Sequence, residues 1–127
     1  MNLKQWLAIA LGGALGALSR AAVGLWLNPK DGGAIPWGTF AANLVGSVAL
    51  GILLGLLLGE RMTSPTAKAL LATGFCGAFT TFSTFSAETV TLARSGHALT
   101  AVLYVGLTLG LCLLGSFIGL VVFGKTA

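Results

Sequence analysis

The chain has 127 residues, of which 56% are apolar and 8% charged, with a mean hydropathy of +0.96 and a formal net charge of +4. Soluble domains carry about 25% charged residues, and a chain this short has no core large enough to hide so much apolar surface, so lipid must cover it. The basic residues Lys4, Arg20, Lys30, Arg61, Lys68, Arg94 and Lys125 are scattered and do not form the clustered footprint of a nucleic-acid binder.

Charged and polar residues cut the chain into four apolar segments, each close to the ~20 residues a helix needs to cross the hydrocarbon. The first runs from Leu3 to Leu27, with Arg20 near its far end. A Lys, an apolar run and small residues at Gly16 to Ser19 have the outline of a signal peptide, but apolar character resumes after Arg20 and suits a full span better. Asn28, Pro29, Lys30, Asp31, Gly32 and Gly33 form a loop, and the second segment runs from Trp37 to Leu58. Ser64, Pro65 and Thr66 read as a helix start with Pro in the first turn. The third segment continues to Arg94, Ser95 to His97 make a turn, and the fourth covers Ala98 to Phe123. With no soluble domain or linker visible, residues 1–127 are expected to form a single all-α transmembrane domain of four helices.

The third segment is the unusual one. It is uncharged from Ala69 to Ala87, yet residues 73–86 mix Gly74 and Gly77 with hydroxyls and four phenylalanines. A lipid-facing helix has no use for that composition, and irregular backbone at membrane depth survives only in protein or beside a wet cavity. The expectation is a third helix broken near its middle, at Gly74 and Gly77, where the protein does its work.

Polar groups in hydrocarbon need partners. Thr39, Asn43 and Ser47 are spaced by four and share a face of the second helix. Asn43 carries two amide donors that its own helix does not satisfy; it reads either as an interhelical hydrogen bond or as a ligand of a polar pathway. Thr100, Tyr104, Thr108, Cys112 and Ser116 form a stripe of the same period on the fourth helix. Glu88 is the acidic exception in the third segment; it either sits in a vestibule or snorkels, and a direct part in transport is the sharper reading. Arg20 is either an anion attractor at a pore mouth or an anchor for loop carbonyls. Phe82 and Phe85 share a helix face, and the positive edge of an aromatic ring can meet an anion without a fixed charge. Cys76 and Cys112 lack metal-ligand spacing and read as buried small residues.

With four spans, both termini share a side with Lys4, Arg61, Lys68 and Lys125, against Lys30, Arg94 and the boundary residue Arg20 on the other. So weak a bias permits insertion in both orientations, hence an antiparallel, dual-topology homodimer. The small-residue faces, Gly12, Gly16 and Ala17 or Gly51 and Gly55, suit tight packing within or between chains.

Three motifs in order, Gly12 to Arg20, Gly38-Thr39 with Asn43, Gly46 and Ser47, and Gly74 to Ser86, resemble the Fluc (CrcB) family of fluoride channels over essentially the whole chain. The resemblance implies a multi-pass protein of the bacterial inner membrane that lets fluoride out passively, with two pores per antiparallel dimer. It implies that Asn43, Phe82 and Phe85 line the pore, with Tyr104 and Thr108 on the pore stripe of the fourth span; Thr39 and Ser47 join the candidate pore residues through the face they share with Asn43. It also implies a structural Na⁺ at the dimer centre, held by the backbone carbonyls of Gly77 and Thr80. Cys112 stands where a hydroxyl is expected, which puts its place in the pore in doubt. The rival reading is a small dual-topology multidrug or cation exchanger, but similar exchangers place an essential acid in the middle of the first span, and this one has none. An enzyme is disfavoured, since the lone His97 sits in a turn and no nucleophile–base set is visible.

Overall fold

The computed structural model describes residues 1–124, and every regular element among them is helical. Helices α1 (Leu3–Leu27), α2 (Trp37–Leu58) and α6 (Ala98–Phe123) have the expected bounds and are long and apolar enough to cross a membrane. Between α2 and α6 the chain is segmented: α3 (Pro65–Lys68), a π-helical stretch (Ala69–Cys76) and α4 (Gly77–Phe79) follow without a gap, then α5 (Phe82–Arg94). Thr80 and Thr81 between α4 and α5 are extended. Lys125, counted above with the termini, lies outside the described residues.

The ends follow local chemistry. Asn2 and Gln5 form a reciprocal capping box on α1 (3.0 and 2.9 Å). Ser64 caps the Ala67 N–H (3.2 Å) with Pro65 in the first turn, as the sequence suggests. Gly96, with φ of 87°, allows the tight turn into α6.

Two glycine-lined seams hold the bundle. Along the first, Gly12 lies against the Leu70 carbonyl and Gly16 against that of Phe75, while a methyl group on Gly74 would come within 2.8 Å of the Ile9 carbonyl oxygen. Along the second, Gly51 lies on Ser116, and methyl groups on Gly55 and Gly119 would come within 2.8 Å of the Gly124 and Ile52 nitrogens. Lipid gives helices no hydrophobic reason to associate, so such van der Waals approach has to do it.

Gly74 and Gly77 do not interrupt the third segment. Both are helical, Gly74 serving the close approach to α1. The extended residues come later, at Thr80 and Thr81, for a reason that lies on α2.

Leu25, Leu99 and Leu113 are among the many large apolar side chains that point outward, as lipid-facing surface requires. Trp6 is exposed near one end of α1 and Trp26 near the other, about 30 Å apart at 1.5 Å per residue, the span of the hydrocarbon and the usual place for interfacial tryptophan. Gln5 and Lys68 line one cleft at the first end, and Gly33 meets the His97 ring at the second.

Candidate functional site

Asn43 projects from α2 at the Thr80–Thr81 gap. Its Oδ1 accepts from the Thr81 N–H (2.7 Å) and its Nδ2 donates to the Thr81 carbonyl (3.1 Å). This pairing fixes the orientation of the amide and leaves one of its two N–H groups unused by Thr81. It also explains why the helix stops. The Thr81 N–H that would close a turn onto Gly77 is spent on Asn43. The Thr84 N–H that would close one onto Thr80 goes to Thr81 Oγ1 (3.2 Å), which caps α5. Gly46 makes room for this arrangement, since a side chain there would meet the Thr80 methyl group.

The carbonyls of Gly77 and Thr80 are thus released from their usual helical donors. The Ala78 carbonyl between them accepts from Arg20 Nε (3.0 Å). That bond is the contact an anchoring Arg20 would make.

Beside the gap lies a cleft of about 240 Å³. Asn43, Ser47, Phe82, Phe85, Thr108 and Cys112 all line it, so it gathers five of the expected pore residues and the doubtful cysteine. Thr108 is 5% exposed, and its Oγ1 is buried without a hydrogen-bond partner. Such groups are rare in folded proteins and ask for an explanation. The rings of Phe82 and Phe85 lie 5.5 Å apart and tilted by 55°. Phe82 is exposed on this chain, whereas Phe85 is buried, its ring edge-to-face with Tyr104 at 5.1 Å.

One helical turn away, Thr39 and Tyr104 do not face the cleft. Both donate to Glu88: Thr39 Oγ1 to one carboxylate oxygen (2.8 Å) and the Tyr104 hydroxyl to the other (2.7 Å). Tyr104 is fully buried and Thr39 nearly so. Glu88 in turn lines a second cavity of about 310 Å³, with Asn28, Asp31 and Thr91, under the loop that joins α1 to α2. Glu88 thus lines this cavity with its carboxylate clamped by hydroxyls from α2 and α6.

A family profile described as "CrcB-like protein, Camphor Resistance (CrcB)" matches residues 7–120. The chain belongs to the CrcB family. Among its CrcB relatives, the "Fluoride-specific ion channel FluC" of Acidobacterium capsulatum is 46% identical over 118 residues, covering 93% of this chain and 94% of that one. "Fluoride-specific ion channel FluC 1" of Symbiobacterium thermophilum is 44% identical over 117 residues (91% and 94%). The protein of the same description from Rhizobium meliloti is 38% identical over 114 residues (90% and 91%). With its apolar helices, this CrcB chain is a multi-pass bacterial membrane protein.

Three contributors in this CrcB chain escaped the sequence reading. Thr81 offers the cleft its backbone, which no residue pattern advertises. Ser116 belongs to the polar stripe by its spacing, but its hydroxyl donates to the Ser47 carbonyl (3.0 Å) and ties α6 to α2. Asn28 stands in sequence as a loop residue, yet its side chain bonds the first turn of α2 (2.7 and 3.1 Å). A polar residue ending an apolar helix, eight positions before a proline that cannot cap, was the available signal.

Proposed function

We propose that the protein is a fluoride-selective channel that works as an antiparallel homodimer with two pores, the segment from Pro65 to Arg94 forming a fourth, broken span. The observation that carries this reading is Thr108 Oγ1, a buried hydroxyl without a partner in a cleft beside Asn43. A hydroxyl and an amide N–H are strong donors for a small anion, and neither holds a charge that would trap it. The edges of Phe82 and Phe85 add positive quadrupole from the α5 side. Binding favourable enough to enter yet weak enough to leave is what conduction requires.

The path then runs along the four-residue spacing of α2 and α6, from Asn43 and Thr108 to Thr39 and Tyr104 and on to the vestibule. In that second layer both hydroxyls are engaged by Glu88. An anion passing there must take those donors over, so Glu88 has to yield them and turn toward the vestibule it lines. The 42–46% identity to relatives named as fluoride-specific ion channels supports the choice of fluoride as the anion.

The decisive experiment is efflux from liposomes loaded with fluoride or chloride. Passive, electrogenic fluoride release without chloride release is expected. Comparable chloride efflux, or fluoride movement only against a proton gradient, would remove the channel reading.

The same reading places a structural Na⁺ at the carbonyls of Gly77 and Thr80, where two copies would meet. The donor set fits a hard monovalent ion: carbonyl oxygens released from helical bonding, and no carboxylate of the kind Ca²⁺ and Mg²⁺ prefer. Bound there, Na⁺ would offset the carbonyl dipoles and fasten the two chains. Within one chain a methyl group on Gly77 meets only the Ala72 carbonyl oxygen, at 3.8 Å, an ordinary contact, so the first carbon of a side chain there clashes with nothing in its own chain. Loss of the dimer in Gly77→Leu, and on replacing Na⁺ by a large organic cation, is the expected result; an intact dimer in both cases counts against the site.

A further inference from the structure

Helix α2 begins badly. Its first residue follows Pro36, which supplies no side-chain cap for the N–H groups of Gly38 and Thr39. Asn28, the residue that ends α1, repairs this from outside. Its Oδ1 accepts both the Gly38 N–H (2.7 Å) and the Thr39 N–H (3.1 Å). The sequence leaves space for it: a methyl group on Gly38 would come within 2.7 Å of that oxygen and 2.8 Å of the Gly24 Cα.

The other half of the same amide points at a hydroxyl. Asn28 Nδ2 donates to Thr39 Oγ1 (3.5 Å), and Thr39 Oγ1 donates to Glu88 (2.8 Å). A hydroxyl can turn its single proton in several directions. Here Asn28 fills an acceptor position on the Thr39 oxygen and leaves the proton to Glu88. The amide N–H, the hydroxyl and the carboxylate form a chain running in one sense, and each bond in such a chain polarises the next.

We propose that Asn28 is a positioning residue for ion transit, one that caps α2 in place of Pro36 and aims the Thr39 hydroxyl along the anion path. The inference rests on reading Thr39 and Glu88 as part of that path. It assigns to a loop residue two separable jobs, one for each end of its amide.

Asn28→Asp separates them. A carboxylate keeps the acceptor for the α2 N–H groups, and a negative charge suits a helix N-terminus. It has no N–H for Thr39, and its second oxygen invites the Thr39 proton away from Glu88. The expected result in liposomes is fluoride efflux reduced roughly tenfold, the scale of one charge-assisted hydrogen bond, at unchanged or raised thermal stability. Asn28→Ala should lose both stability and flux.

Repeating Asn28→Asp in a Thr39→Val background distinguishes aiming from repulsion. Without the hydroxyl, Asp at 28 should cost little further flux. The same tenfold loss in both backgrounds would mean simple charge repulsion and overturn the inference. So would wild-type efflux in Asn28→Asp when Thr39→Val alone is impaired, since capping would then be the whole role. Wild-type efflux in Thr39→Val alone would defeat the path through Thr39, and this inference with it.

Discussion

The two polar layers of the bundle sit one helical turn apart and are built from neighbouring positions of the same helices, yet they are opposites. Around Thr39, Glu88 and Tyr104 the carboxylate and both hydroxyls are engaged with one another. Around Asn43 and Thr108 a buried hydroxyl has no partner, and the amide is only partly used. A saturated layer contributes to stability and must be opened before an anion can use it. An unsaturated layer contributes little to stability and stands ready for a ligand. Substitutions in the two layers should therefore trade stability and flux in opposite proportions.

The largest effect is expected at Asn43, which serves the cleft and the break together. Asn43→Asp keeps an acceptor for the Thr81 N–H but places an acceptor, and a charge, where an anion needs a donor. Fluoride efflux should fall by roughly a hundredfold or more, the scale of losing one preorganised donor at an anion site. Near wild-type efflux from a well-folded Asn43→Asp protein would remove the cleft from the pathway.

Next comes the saturated layer. Tyr104→Phe deprives a Glu88 oxygen of its donor within the bundle, and should lower unfolding stability in detergent by about 1.5–3 kcal/mol, the range for hydrogen bonds to charged groups. An unchanged melting temperature would show that Glu88 is not held as described.

Thr108→Val is the counterpart. It should reduce efflux roughly tenfold, by one hydrogen bond to an anion, while thermal stability holds or rises slightly, because the hydroxyl removed has no partner in the protein. A marked loss of stability would contradict the contrast between the layers.

The smallest and most diagnostic difference lies between the two phenylalanines. Phe82→Ile and Phe85→Ile should both lower efflux. Only Phe85→Ile should also destabilise, by about 0.5–1.5 kcal/mol for its edge-on contact with Tyr104. Equal stability losses would show that Phe82 packs more tightly than its exposure on one chain suggests.

Much of the fold was legible because membrane spans are written in composition. The bounds of α1, α2 and α6 follow from runs of apolar residues between Asn28, Pro36, Gly59 and His97, and the Ser64–Pro65 start follows from local chemistry. The cleft was legible in part, since the four-residue spacing of Asn43 with Ser47, and of Thr108 with Cys112, puts groups that line it on single faces. The position of the break was not. Glycine looked like the interrupter, but helix glycines at Gly74 and Gly12 are there for close approach, and the helix ends because Asn43, 38 residues earlier, takes the Thr81 N–H. Nor did spacing reveal that Thr39 and Tyr104 would turn to Glu88, since a period assigns a face and not a partner. Asn28 escaped for the same reason: its partners belong to the next helix.

The π-helical stretch from Ala69 to Cys76 comes before the Thr80–Thr81 gap and α5. Hydrogen bonding from i to i+5 winds extra residues into each turn, compared with 3.6 in an α-helix. It therefore acts as a phase adjuster. Whatever follows is rotated about the helix axis by roughly 100° for each residue so absorbed. The seam glycines fix the early part of the segment against α1, so that phase decides which residue meets Asn43. A one-residue deletion within 69–76 would leave the cleft's chemical groups intact in the sequence and present the wrong ones to α2: an error of timing along the helix rather than a missing part.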